Sequence, residues 1–148
     1  MRHMHLLVVI LAAAAASLCA APEQRAIWAH FPDIKSPEAV QRTVDAMSAA
    51  RLNAIYILVW YDGGLAAYRS ALSPMMAGAP EGHDPLGALI AAAHARGIHV
   101  HAWFANGSYG WKQPGHVFTV HPEWQLDDGS SGPERWYDLG QPAVREFE

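Results

Sequence analysis

The sequence predicts an α/β protein of successive βα units, holding about three of the eight units of a (β/α)8 TIM barrel. Three observations carry that prediction. Residues 84–104 read as a helix marked at both ends that feeds a buried strand. Residues 53–60 are an uncharged run rich in β-branched and aromatic side chains, as in a strand buried on both faces. The order along the chain is β-α-β-α-β-α. Strands starting near 25, 53 and 98 are spaced too widely for a closed barrel, which needs roughly 250 residues, to fit in a 148-residue chain. The expectation is the N-terminal part of a barrel, a piece that does not fold cooperatively alone.

Residues 1–21 read as an export signal and not as part of the fold. Arg2 gives a positive start, residues 6–16 are apolar without interruption, and small residues cluster at Ser17, Ala20 and Ala21. Cleavage is expected after Ala20, and 22–148 is read as the folded domain, in the periplasm or outside the cell. The apolar run is shorter than the ~20 residues of a membrane span. Leu18 stands before Cys19, the one cysteine, where a lipidation signal wants a small residue. If Cys19 leaves with the signal, the mature chain has no thiol and no disulfide.

In the mature chain the first strand covers 25–31. Ser36 then caps a helix that begins with Pro37 and buries Val40, Val44 and Met47. The strand at 53–60 follows, then a loop over 61–82 with Gly63-Gly64. Asp84 caps the second helix, Pro85 opens it, and Leu86, Leu89, Ile90 and Ala93 recur at helical spacing. Gly97 suits the left-handed position that ends it. The third strand runs over 98–104. Residues 105–140 are a long polar and aromatic segment with a short strand at 117–120, and 141–148 begin another helix. Half the residues are hydrophobic, enough for a core, and a net charge of −4 without a basic stripe argues against a nucleic-acid partner.

Strand alternation assigns faces. Ile55, Ile57 and Val59 suit packing on helices, while Tyr56, Leu58, Trp60 and Asp62 face the other way. In the third strand Val100, Ala102 and Phe104 oppose His99, His101 and Trp103; in the first, Trp28 and His30 share a side. Active sites of such folds lie at the C-terminal strand ends, which selects His30, Trp60, Asp62, His101 and Trp103.

Several stretches taken together resemble the bacterial glycosyl-hydrolase-like 10 family. They are Arg25-Ala26-Ile27-Trp28, Leu52-Asn53-Ala54-Ile55-Tyr56, Tyr68-Arg69-Ser70 with Pro74, Asp84-Pro85-Leu86, Ala93-His94-Ala95-Arg96-Gly97, Val100-His101-Ala102-Trp103 and Trp136-Tyr137-Asp138-Leu139-Gly140. The resemblance runs from about Arg25 to Phe147. It implies an exported TIM-barrel protein acting on glycans, with some relatives linked to the bacterial cell wall. Leu58 and Trp60 stand where relatives often carry polar residues, and Phe104-Ala105-Asn106-Gly107 replaces an Asn-Pro type of turn.

Glycoside hydrolysis usually needs two carboxylates ~5–9.5 Å apart. Related barrels carry them after the fourth and seventh strands, so no catalytic pair is assigned. Asp62 ends a strand but also suits the Gly63-Gly64 turn; Asp127, Asp128 and Asp138 fall in the long segment as loop carboxylates. The residues expected to bind and orient a polysaccharide or cell-wall glycan are His101, Trp103, Trp60, Asp62, Asn106 and His30. His101 could donate to a sugar hydroxyl or be a core histidine bonded to a neighbouring strand. Trp111, Trp124 and Trp136 could form sugar platforms or pin the long loop to the rim. No cofactor is expected. Three further readings stay open: a carbohydrate-binding barrel without catalysis, a metal-dependent hydrolase using His99 and His101 but lacking a visible third ligand, and a truncated remnant.

Overall fold

The computed structural model describes residues 23–61, 63–107, 115–126 and 136–147. The expected export signal, Asp62, Trp111, Asp127 and Asp128 lie outside the described residues. The elements are β1 (Ala26–Ala29), α1 (Pro37–Ala49), β2 (Ala54–Tyr61), β3 (Leu65–Ala66), α2 (Pro85–His94), β4 (His99–Phe104), α3 (His116–Val120) and α4 (Pro142–Phe147). One-turn 3-10 helices sit at Phe31–Asp33 and Pro122–Trp124.

The protein is a mixed α/β structure around one small sheet. β2 lies at its centre, parallel to β1 and to β4, and β3 folds back antiparallel on the last two residues of β2. Two helices cover one face. The Ser36 hydroxyl accepts from the Ala39 amide at 3.2 Å, and Asp84 Oδ1 accepts from the Gly87 amide at 3.2 Å, so both N-termini are capped as the sequence predicts. Gly97 has φ +68°, and the Ile98 amide returns to the Ala93 carbonyl at 3.0 Å, closing α2 and releasing β4.

Val40, Val44 and Met47 of α1 and Leu89 and Ala93 of α2 pack on Ile55, Ile57 and Val59 in one cluster. At about 25 cal/mol per Å² of apolar area, a fully buried Leu or Ile contributes roughly 1.5–3 kcal/mol, so this layer holds the helices to the sheet. Below it, Asn53 ties the strand starts together. Its Oδ1 accepts from the Arg25 amide and its Nδ2 donates to the Glu23 carbonyl, both at 2.7 Å.

Four expectations need correction. Residues 117–120 are helical, not a strand: the Val117 amide donates to the Gly63 carbonyl at 3.0 Å, and Val117 and Phe118 are buried together. This tertiary anchoring overrides the β-propensity of Val-Phe-Thr-Val. The 61–82 loop contains β3, too short to show a period. Ile90 is 37% exposed, outside the buried stripe, which centres on Leu89 and Ala93. The fourth correction is a bulge: Leu58 pairs with Trp103 but Trp60 pairs with Phe104, so Val59 is an extra residue in β2. Beyond it Phe104 stands beside Trp60, where simple alternation places the two on opposite faces. Among the described residues, no helix is long and apolar enough to cross a membrane.

Candidate functional site

The face of the sheet away from α1 and α2 is aromatic. Trp28 stacks on Tyr56 with ring centroids 4.9 Å apart and meets Trp103 edge-on at 4.8 Å. His30 approaches Trp103 at 5.9 Å. Trp28 is 62% exposed, so this surface is open. His101 belongs to its lower part. Paired with Tyr56, it stacks on that ring at 4.6 Å, and its Nε2 lies 3.3 Å from Gln24 Nε2. The Tyr56 hydroxyl donates to Gln24 Oε1 at 3.1 Å. The imidazole is thus held between a tyrosine ring and a glutamine.

A second feature lies at the C-terminal ends of β2 and β4. A cavity of about 180 Å³ is lined by Trp60, Tyr68, Ser70, Leu72, Phe104, Asn106 and Phe147. Its floor is built by a second apolar cluster in which Trp60 packs with Val117, Phe118, Tyr137 and Val144. Phe147 of α4 leans on Trp60 at 6.0 Å, and Tyr68 meets Phe104 at 6.5 Å. The Ala105 amide donates to the Trp60 carbonyl at 2.8 Å, which sets where the chain to Asn106 leaves the sheet. Tyr68 Oη, Trp60 Nε1 and the Asn106 amide make no hydrogen bond among the described residues. Trp60 is only 8% exposed, yet its Nε1 is not sealed from solvent. The cavity therefore offers two aromatic rings, Trp60 and Phe104, together with polar groups that have no hydrogen bond among the described residues.

The carboxylates with altered acidity lie elsewhere. The Ser36 hydroxyl, donating at 2.8 Å, holds Glu38 below the usual range. Arg96, then Gln41, does the same for Asp45, and the backbone N–H of Glu123 followed by His121 for Glu123. None of the three lines the cavity. Asp138 shapes the turn into α4, accepting from the Gly140 amide at 2.9 Å and from Gln141 Nε2 at 3.1 Å. His99 and His101 share a shallow surface with Glu23, Gln24 and Asn53. Among the described residues, no three His, Cys, Asp or Glu side chains converge as a metal site would need.

The residues singled out in the sequence thus fall into separate places. Trp60 and Asn106 meet in the cavity, Trp103 and His30 belong to the open aromatic face, and His101 lies lower on that face. Asp62 lies outside the described residues. Tyr68, Ser70 and Phe147 were not anticipated as lining. They come from the segment after β3 and from α4, and only the position of Tyr68-Arg69-Ser70 just beyond a strand end hinted at them. Trp124 stacks on His121 at 3.9 Å and packs on Phe147 at 5.3 Å, which pins the long segment to α4.

No curated protein matches the chain. Among solved structures, one described as a hypothetical protein from Ruminiclostridium thermocellum ATCC 27405 is similar in fold, with a TM-score of 0.60 at 16% identity. The match covers 82% of this chain but 65% of that one, so the chain spans less than two thirds of its structural relative. The family model for glycosyl hydrolase-like 10 matches residues 23–148. That span takes in the whole sheet, both covering helices and the aromatic cavity at the strand ends, and the chain belongs to the glycosyl hydrolase-like 10 family.

Proposed function

We propose that the protein is an exported glycan-directed hydrolase-like barrel protein whose described part binds sugar at the C-terminal ends of β2 and β4. The observation that carries this reading is the cavity there: aromatic rings from Trp60 and Phe104 beside polar groups of Tyr68 and Asn106 that have no hydrogen bond among the described residues. Flat rings cover the apolar C–H face of a pyranose, and hydroxyl and amide groups bond its rim. Family membership supports the ligand class. The sequence-ordered parallel strands β1, β2 and β4, with the connecting helices α1 and α2 together on one face, support their assignment as the first three strands of a (β/α)8 barrel. On that assignment the open aromatic face is inner wall, and His101, His30 and Trp103 are packing and orienting groups within it.

No carboxylate stands among the described lining residues, which favours a second reading: this part of the site binds glycan and does not itself hydrolyse it. Reducing-sugar release and retention on insoluble polysaccharides, both measured with the intact protein, separate the two. Retention with release supports a hydrolase, and retention alone supports a binding barrel. Neither, across plant and cell-wall glycans, sinks the carbohydrate reading. Export is supported by the apolar segment after Arg2, and mass spectrometry of the secreted protein should place its N-terminus at Ala21.

A further inference from the structure

We propose that the cavity beyond Trp60 and Phe104 is a subsite for one uncharged sugar ring that rejects acidic sugars. The proposal rests on the carbohydrate reading above and adds the charge class of the ligand. Three observations carry it.

The first is size. At about 180 Å³ the cavity is smaller than the ~300–1,000 Å³ of sites that enclose a drug-sized ligand, so it takes one ring of a chain. The second is the absence of charge among the described lining side chains: aromatic rings, a leucine, a serine and an amide, with no carboxylate, ammonium or guanidinium. The two cations closest to the lining in sequence are committed elsewhere. Arg69 Nη2 donates to the Gly82 carbonyl at 2.7 Å, and Arg145 Nη1 donates to the Leu139 and Gly140 carbonyls at 2.7 and 2.8 Å. The third is the kind of polar group left without a hydrogen bond among the described residues. Tyr68 Oη and the Asn106 amide each can donate and accept, while the Trp60 indole N–H only donates. That set matches alcohol groups, which also do both. A carboxylate placed there would give up part of its hydration and gain no cation among the described lining residues, so it is disfavoured relative to an alcohol. The bulge at Val59 is what makes the subsite, because it brings Phe104 beside Trp60.

The test uses matched pairs of methyl glycosides: glucoside with glucuronide, and galactoside with galacturonide. Binding to the intact protein is followed by ligand-observed NMR, with retention on insoluble glycan measured in parallel. At least one neutral glycoside should bind, and its uronate partner should bind roughly tenfold or more weakly. Phe104→Ala should weaken the neutral ligand about fivefold; its ring is 47% exposed, so the fold tolerates the change. Asn106→Lys supplies the missing cation and should bring the uronate to the affinity of its neutral partner. Uronates that bind as well as their neutral partners overturn the subsite while leaving the glycan reading intact. Failure of every glycoside to bind, with glycan retention preserved, also overturns it. Failure of both measurements overturns the subsite and the carbohydrate reading together.

Discussion

Gly115→Ala is the substitution whose cost can be worked most directly from the structure. Gly115 has φ −64° and ψ 174°, a conformation alanine adopts freely, so no backbone strain enters. The obstacle is space. A Cβ at this position would sit 2.5 Å from the Gly63 carbonyl carbon and closer still to its Cα and oxygen. Carbon atoms rest at about 3.5–4.0 Å, so the two backbones must separate by more than about 1 Å. Both sides are main chain and cannot rotate away. The Val117 amide that donates to Gly63 O at 3.0 Å would then lie beyond hydrogen-bonding range, a loss of about 1 kcal/mol. Displacing Val117 and Phe118 from their cluster adds an overpacking cost of about 1–3 kcal/mol. The expected destabilisation is therefore about 2–4 kcal/mol in urea unfolding of the intact protein. Because Trp60 shares that cluster, glycan retention should fall in parallel. A loss under about 0.5 kcal/mol would show that α3 is not seated against the β2–β3 turn, and the account of the cavity floor would fall with it.

The remaining expectations address other parts of the fold. Gly97→Ala should cost about 1 kcal/mol for a different reason: nothing lies within 4 Å of the added Cβ, and the whole penalty comes from φ +68°. Leu89→Ala should cost about 2–5 kcal/mol, whereas Ile90→Ala, one residue on, should stay within about 0.5 kcal/mol; equal losses would refute the assigned face of α2. The Asp45 carboxyl is held low first by the hydrogen bond from Arg96, so it adds stability above its unfolded value and loses it as pH falls through the folded one. The difference in Tm between wild type and Asp45→Asn should accordingly be full above about pH 5, shrink below the ordinary aspartate range, and diminish in salt at any pH. A difference that grows on acidification would contradict this.

Local chemistry was readable where one or two residues decide the outcome. Ser36-Pro37 and Asp84-Pro85 start helices, Gly97 ends one, and the uncharged run around Ile55 is the central strand, because caps, fixed φ values and burial on both faces act within a few residues. What escaped depends on partners far along the chain. Val117 to Val120 carry strand-forming side chains, but the Gly63 carbonyl and the Tyr137 ring give their helix its place. Alternation, which assumes an unbroken period of two, could not reveal the extra Val59 and so put Phe104 on the wrong side. The lining contributed by Tyr68, Ser70 and Phe147 was hidden for the same reason, since loops and a distant helix carry no period. His101 looked close to the strand end, yet its register against Tyr56 places it halfway down beside Gln24, a residue that precedes the first strand.

The indole pair on the open face has an optical consequence. Trp28 and Trp103 belong to strands on opposite sides of β2 and reach over it to meet at 77° with centroids 4.8 Å apart. Two such chromophores behave as coupled oscillators: their ultraviolet transitions mix, and the fixed handedness of the pair splits the signal into a circular-dichroism couplet. Neither indole produces that couplet alone, and none of the helices does. It exists only while β1 and β4 flank β2 in register, so the protein carries a built-in spectroscopic reporter of the assembled sheet, independent of its helical signal.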